Sequence, residues 1–223
     1  DQYMGVYDVG WEQLREDRLT KALELGVVGQ GTKMVEMSTT EDWEALPDKR
    51  KRYEAKRMAV YGGMVTAMDF HIGRLIEHLK ATGQYDNTLF IFTSDNGTEV
   101  SGRPDPGNGP ARLFVESQGY TSEYETLGLK GSFNSISPSF ASASASPLAF
   151  YKFYAGEGGL RVPLIIAGQS ITVKGELNHA LSHVTDITPT ILSYAGVKAP
   201  EGRFGGRPVE AIVGRDLMPL IRG

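Results

Sequence analysis

Six consecutive positions, Thr88-Leu89-Phe90-Ile91-Phe92-Thr93, are β-branched, aromatic or Leu, and they run directly into Ser94-Asp95-Asn96-Gly97. A run of that composition closed by turn residues predicts a buried strand ending in a tight polar turn. In an open α/β sheet, ligands collect beyond the carboxyl ends of strands, which is where Asp95 and Asn96 fall. An Asp carboxylate beside an Asn amide offers two hard oxygen donors, and Gly97 lets the backbone bend to aim them. The same residues also suit an Asx turn that binds nothing. The rest of the chain has to decide between the two.

Ahead of this strand, the stretch from Asp48 to Thr82 reads as one long helix. Tyr61, Val65, Met68, Ile72, Leu75 and Leu79 form a single apolar stripe, Gly83 supplies the C-terminal cap, and Asp48 to Arg57 reads as a solvated charge run. Helix followed by strand is the repeating unit of an α/β sheet. Further upstream, a surface helix is predicted from about Trp11 to Gly26, and Glu41-Asp42-Trp43 opens another short helical turn. Residues 98–147 are rich in Gly, Pro and Ser and end in Ser142-Ala143-Ser144-Ala145-Ser146. They read as a loop insertion over the carboxyl edge of the sheet. Gly158-Gly159 then leads into a second buried strand, Leu160 to Gly168. Thr185 to Gly196 has a capping residue, an early Pro and a terminal Gly, the marks of a short helix. The residues from Gly214 to Ile221 read as a loop and a final turn.

With 223 residues, 40% of them hydrophobic, and a formal net charge of -4, the chain suits one globular domain or a large piece of one. The mild negative charge leaves no electrostatic footprint for nucleic acid. No apolar run approaches the roughly 20 residues that span a bilayer. The absence of cysteine excludes disulfides, thiolate metal sites and a cysteine nucleophile, and it fits both cytoplasm and periplasm. Asp1 is not an initiator Met and no leader pattern follows it, which suggests a chain processed or truncated at its start.

Among the histidines, His71 and His78 lie two helical turns apart, roughly 10 Å, too far to share one ion. His179 and His183 have the spacing of a helical zinc pair, with Asp186 as a third candidate. They precede the predicted helix, however, and in an extended segment they stand about 13 Å apart. His183 alone could contact a site or orient Asp186. Gly128-Leu129-Lys130-Gly131-Ser132 lacks the frame of a phosphate loop. Lys152, between the Ser/Ala-rich stretch and Gly158-Gly159, is the lysine most suitably placed for a role.

These residues together resemble the sulfatases of the alkaline-phosphatase superfamily. The resemblance rests on three ordered motifs between about 64 and 197: Met68-Asp69 and Ile72-Gly73-Arg74-Leu75 followed by Phe92 to Gly97; Lys152 six residues before Gly158-Gly159-Leu160-Arg161-Val162-Pro163; and His183 to Leu192 with Ala195-Gly196-Val197. The N-terminal segment Val6 to Trp11 is most similar to the bacterial arylsulfatase branch. The resemblance implies an α/β fold, an alkaline-phosphatase-like sheet flanked by helices. Residues 1–223 would be part of the catalytic domain, without its N-terminal portion and its smaller C-terminal sheet. It further implies a small-molecule sulfate ester as substrate, and Asp95 and Asn96 as ligands of one divalent cation, usually calcium. Lys152 would hold a sulfate oxygen or stabilise the leaving oxygen, with Arg161 and Asp186 in support. Sulfatases carry a formylglycine made within a Cys/Ser-x-Pro-x-Arg motif. Here the only such frame has Asn108 in the nucleophile position, ahead of Pro110 and Arg112, so the nucleophile is expected outside this chain. Two other readings stay open. One is a phosphoric or phosphonic ester hydrolase on the same scaffold; the other is a non-catalytic binding module. Oligomeric state is not legible.

Overall fold

The computed structural model describes residues 2–100 and 110–222. Its residues form two compact units, one running to His78 and resuming at Thr93–Leu164, the other made of Leu79–Phe92 with Ile165 onward.

The first unit is built on aromatic packing between α1 (Gly10–Glu24), the segment at Trp43 and α4 (Pro138–Ala145), joined by Ala55, Met58 and Ala59 from the first half of α2 (Asp48–Ala81). Trp11 and Trp43 meet edge to face with ring centroids 4.7 Å apart, and Phe140 completes the group 5.3 Å from Trp11. Such pairs add roughly 0.5–1.5 kcal/mol beyond the area they bury. The buried indole finds its partner, because Trp11 Nε1–H donates to the Glu41 carbonyl at 2.7 Å. Glu41 N–H in turn donates to Ser139 Oγ at 3.0 Å. The segment around Trp43 is therefore fixed by side-chain packing and these bonds, and residues 43–46 form bends and turns instead of the expected helical turn.

α4 corrects the reading of 98–147 as an irregular loop. That stretch contains α3 (Pro110–Ser117) and ends in α4, where Phe140, Ala141 and Ala143 are buried core residues. Ser137 caps α4 by accepting from Phe140 N–H, and Pro138 follows at the first helical position. Small side chains that look like loop composition instead let α4 approach its neighbours closely. Ser142 loses its polarity cost by donating to the Pro138 carbonyl at 2.9 Å.

α2 has its predicted length, and Gly83 follows it with φ +69. The burial along it is the reverse of expectation. Tyr53, Glu54, Ala55, Arg57, Met58 and Ala59 are buried, whereas Val65, Met68 and Leu75 of the predicted stripe are exposed. Glu54 is 0% exposed and Arg57 1%. Their burial is made tolerable by pairing: Arg50 Nε lies 2.7 Å from Glu54 Oε1 and Arg57 Nη1 3.3 Å from Glu54 Oε2, while Arg50 also approaches Glu41 at 3.6 Å. The guanidinium of Arg57 also sits over the Tyr53 ring at 5.6 Å.

In the second unit, β1 (Leu89–Thr93) pairs with β2 (Leu164–Gly168), each carrying its last or first residue over from the first unit. A Cβ added at Gly168 would come within 2.8 Å of the Thr88 carbonyl oxygen, so the end of β2 lies against the start of β1 and the pair is antiparallel. Gly158-Gly159 precedes β2 in a one-turn helix, α5 (Glu157–Leu160), which shortens the predicted strand at its start. Neither strand is fully buried: β1 passes from half-buried to exposed, and β2 alternates. A two-stranded ladder covers one edge of each strand and neither face, hence the difference from the predicted buried strands. α6 (Ile187–Tyr194), a short hairpin of β3 (Arg203–Phe204) with β4 (Arg207–Pro208), and α7 (Met218–Arg222) complete this unit.

Candidate active site

β1 delivers Ser94-Asp95-Asn96-Gly97 into a polar bend, with Ser94 Oγ donating to the Asn96 carbonyl at 2.8 Å. Asp95 is exposed and Asn96 half-buried, so the Asp95 carboxylate faces solvent. What fixes the bend is Gly97. Its N–H donates to the Gly159 carbonyl at 3.0 Å. A Cβ there would stand 1.9 Å from the Gly158 oxygen, a separation no side chain tolerates. The contact continues beyond it: a Cβ at Gly158 would meet the Phe150 oxygen at 2.1 Å, and one at Gly159 the Tyr154 oxygen at 2.4 Å. Three glycines thus let three backbone segments touch directly: the turn after β1, the loop 149–154 and the start of α5.

Lys152 stands in the middle of that loop. Tyr151 beside it is buried in the aromatic core, and Phe150 stacks on Tyr154 with centroids 4.7 Å apart. Phe150 and Phe153 both adopt positive φ, 66° and 79°. Side chains that are not glycine rarely adopt this region, and such residues persist where the surroundings hold them, often at functional sites. Lys152 N–H donates to the Thr98 carbonyl at 3.1 Å, and its ammonium forms an ion pair with Glu99. The loop therefore presents Lys152 beside the exit of the Asp95-Asn96 turn. Of the predicted site residues, Asp95, Asn96 and Lys152 are gathered by one backbone contact within the first unit.

Asp95 and Asn96 supply hard oxygen donors of the kind calcium prefers, a part of its usual set of about six to eight. Among the described residues, no group of three or more His, Cys, Asp or Glu side chains is placed to hold a metal ion. The donor chemistry of the pair fits a calcium-type ion, and two residues cover only one side of it.

The remaining candidates are structural or separate. Arg161 pairs with Glu157 at 3.3 Å, both side chains largely exposed. In the second unit Asp186 is buried and accepts Arg215 N–H at 2.7 Å and His183 N–H at 2.8 Å. Those two bonds, that to Arg215 foremost, hold its carboxyl below the ordinary carboxylate range. His183 forms the reciprocal capping box with Asp186 at the start of the turn leading into α6. His179 and His183 are exposed outside any helix or strand, His183 with extended backbone, and His71 and His78 lie exposed on α2. Asn108 of the Asn-x-Pro-x-Arg frame lies outside the described residues. Sequence reasoning missed Glu99 as the partner of Lys152 and Tyr151 as its anchor. A carboxylate two residues after Gly97 was the only available signal for the first, and an aromatic next to the lysine for the second.

A family model described as Sulfatase matches residues 3–197. The chain is 32% identical to an arylsulfatase of Klebsiella aerogenes over 98% of its own length and 46% of that protein. It is 34% identical to an uncharacterized sulfatase of Schizosaccharomyces pombe, over 94% of the chain and 38% of the relative. With the steryl-sulfatase of Homo sapiens it shares 30% identity over 74% of the chain and 22% of the relative. The chain thus spans less than half the length of these curated relatives.

Proposed function

Because the chain belongs to the sulfatase family, whose members share an alkaline-phosphatase-like α/β fold, we propose that the protein hydrolyses sulfate esters of small molecules in the manner of an arylsulfatase. The observation that carries this reading is the glycine contact that sets Lys152 beside the exit of the Asp95-Asn96 turn. Cleaving a sulfate ester builds negative charge on the departing oxygen. A fixed ammonium aimed at that oxygen stabilises it without waiting for water to reorganise. Lys152 takes this role, holding either a sulfate oxygen or the leaving oxygen. The Asp95 carboxylate and the Asn96 amide oxygen hold one side of a divalent cation, with calcium matching their donor chemistry. When bound, the cation supplies positive charge to the sulfate group. The nucleophile is a formylglycine outside these 223 residues.

Loop 149–154 is preorganised for this work. Tyr151 is locked in the core and the backbone of Lys152 is bonded to Thr98, so the ammonium needs little ordering when substrate arrives. Arylsulfate turnover by the full-length protein tests the cation role. Chelation with EDTA is expected to abolish turnover and added calcium to restore it, and Asp95→Ala is expected to raise the calcium concentration needed for half-maximal rate by about tenfold or more. Turnover indifferent to EDTA and to Asp95→Ala would overturn the assignment of this turn.

A further inference from the structure

Glu99 has no part in the roles above, yet it forms the ion pair with the Lys152 ammonium. We propose that Glu99 is a specificity-determining residue that sets the charge of the anion subsite, admitting a singly charged sulfate ester and disfavouring a doubly charged phosphate ester. This rests on the reading of Lys152 as the residue that meets the ester's anionic group.

The pair is held from both sides. Lys152 N–H is bonded to the Thr98 carbonyl, one residue before Glu99, and the Gly97 N–H is bonded to Gly159. Carboxylate and ammonium are therefore brought together by the backbone contact that builds the site, and do not depend on two long side chains finding each other. The side chains remain 32% exposed for Lys152 and 39% for Glu99, so an incoming anion can reach them. A pair so open to water adds little to stability. Its main consequence is the local charge.

The Glu99 carboxylate offsets part of the positive charge that the Lys152 ammonium presents to an incoming anion. Arg161, the next cation along the chain, is engaged with Glu157 at 3.3 Å. Lys152 thus offers its N–H donors with a carboxylate held beside them. A sulfate monoester carries one negative charge, whereas a phosphate monoester carries close to two above its second pKa of about 6. Repulsion from a fixed carboxylate scales with ligand charge, so Glu99 weighs about twice as heavily on the phosphate.

The test uses the full-length protein at about pH 8, where an aryl phosphate is a dianion. Two quantities are measured for wild type, Glu99→Gln and Glu99→Asp: KM for an aryl sulfate, and Ki for the matching aryl phosphate as competitive inhibitor. Glu99→Gln is expected to lower Ki for the phosphate about tenfold more than it lowers KM for the sulfate. Glu99→Asp, which keeps the charge, is expected to retain the wild-type ratio. An unchanged ratio in Glu99→Gln, or equal weakening of both ligands, would overturn the proposal and leave Glu99 a structural partner. Lys152→Ala separates the two levels of inference. If it leaves sulfate turnover intact, the functional reading falls and this inference with it; if it removes turnover while the Glu99→Gln ratio stays fixed, only the role of Glu99 falls.

Discussion

Gly97 shows how much of the site depends on one missing methyl group. A Cβ at this position would sit 1.9 Å from a carbonyl oxygen of the backbone, which cannot swing aside as a long side chain could. Gly97→Ala should therefore push the Asp95-Asn96 turn away from loop 149–154. A loss of about 2 kcal/mol or more is expected in urea denaturation, together with loss of the geometry between the turn and Lys152. An unchanged midpoint would mean the close approach is not needed. Asp186 makes a different residue-scale prediction. Its carboxyl titrates below the ordinary range because Arg215 N–H and His183 N–H donate to the ionised form. A depressed folded-state pKa adds stability that is fully present above the unfolded value, about 3.9, and is lost as pH falls through the lower folded value. Asp186→Asn should lower the denaturation midpoint at neutral pH, and the gap to wild type should close as the pH drops below about 4. A gap independent of pH would assign Asp186 a purely steric role.

At the scale of elements, α2 separates what periodicity can read from what it cannot. Its length and its glycine stop follow from local rules, and so do the limits of β1 and α6. Which part of α2 is buried depends on partners distant in sequence, Trp11, Trp43 and Phe140, that no window over the helix contains. The charged segment 48–57 looks solvated until Glu54 is seen to pair with both Arg50 and Arg57, and Arg50 also with Glu41. The Ser/Ala stretch of α4 misleads for the converse reason, since small side chains mark close packing as readily as a loop. Asp95, Asn96 and Lys152 are singled out by the motifs they stand in, and their roles remain proposals; what the fold adds is the backbone contact that brings their segments together. Glu99 is not singled out, because its pairing is created by the fold. Two measurements check the burial order along α2. Met58→Ala, at a position 1% exposed, should cost about 2–4 kcal/mol, whereas Met68→Ala on the exposed half should change stability by no more than about 0.5 kcal/mol. Glu54→Ala should cost about 3–5 kcal/mol, because it leaves buried positive charge without its carboxylate. Equal effects at Met58 and Met68 would contradict the packing described.

For the molecule as a whole, the first unit is a rigid frame with a polar rim. The aromatic core anchors Tyr151, the glycines join loop 149–154 to the turn after β1, and Asp95, Asn96 and Lys152, the proposed site residues, are exposed or half-buried on that assembly. Rigid support under exposed polar groups is what an electrostatic catalyst needs, since its donors must already point where charge will develop. The exposed stripe of Val65, Met68 and Leu75 belongs to the same unit but not to its aromatic core. The central claim is that Lys152, held in its strained loop, stabilises charge during cleavage of a sulfate ester. The most direct test is kcat for an aryl sulfate with the full-length protein carrying Lys152→Ala, compared with wild type at equal folded fraction. The predicted result is a fall in kcat of about 100-fold or more with an unaltered unfolding midpoint. An unchanged kcat would contradict it.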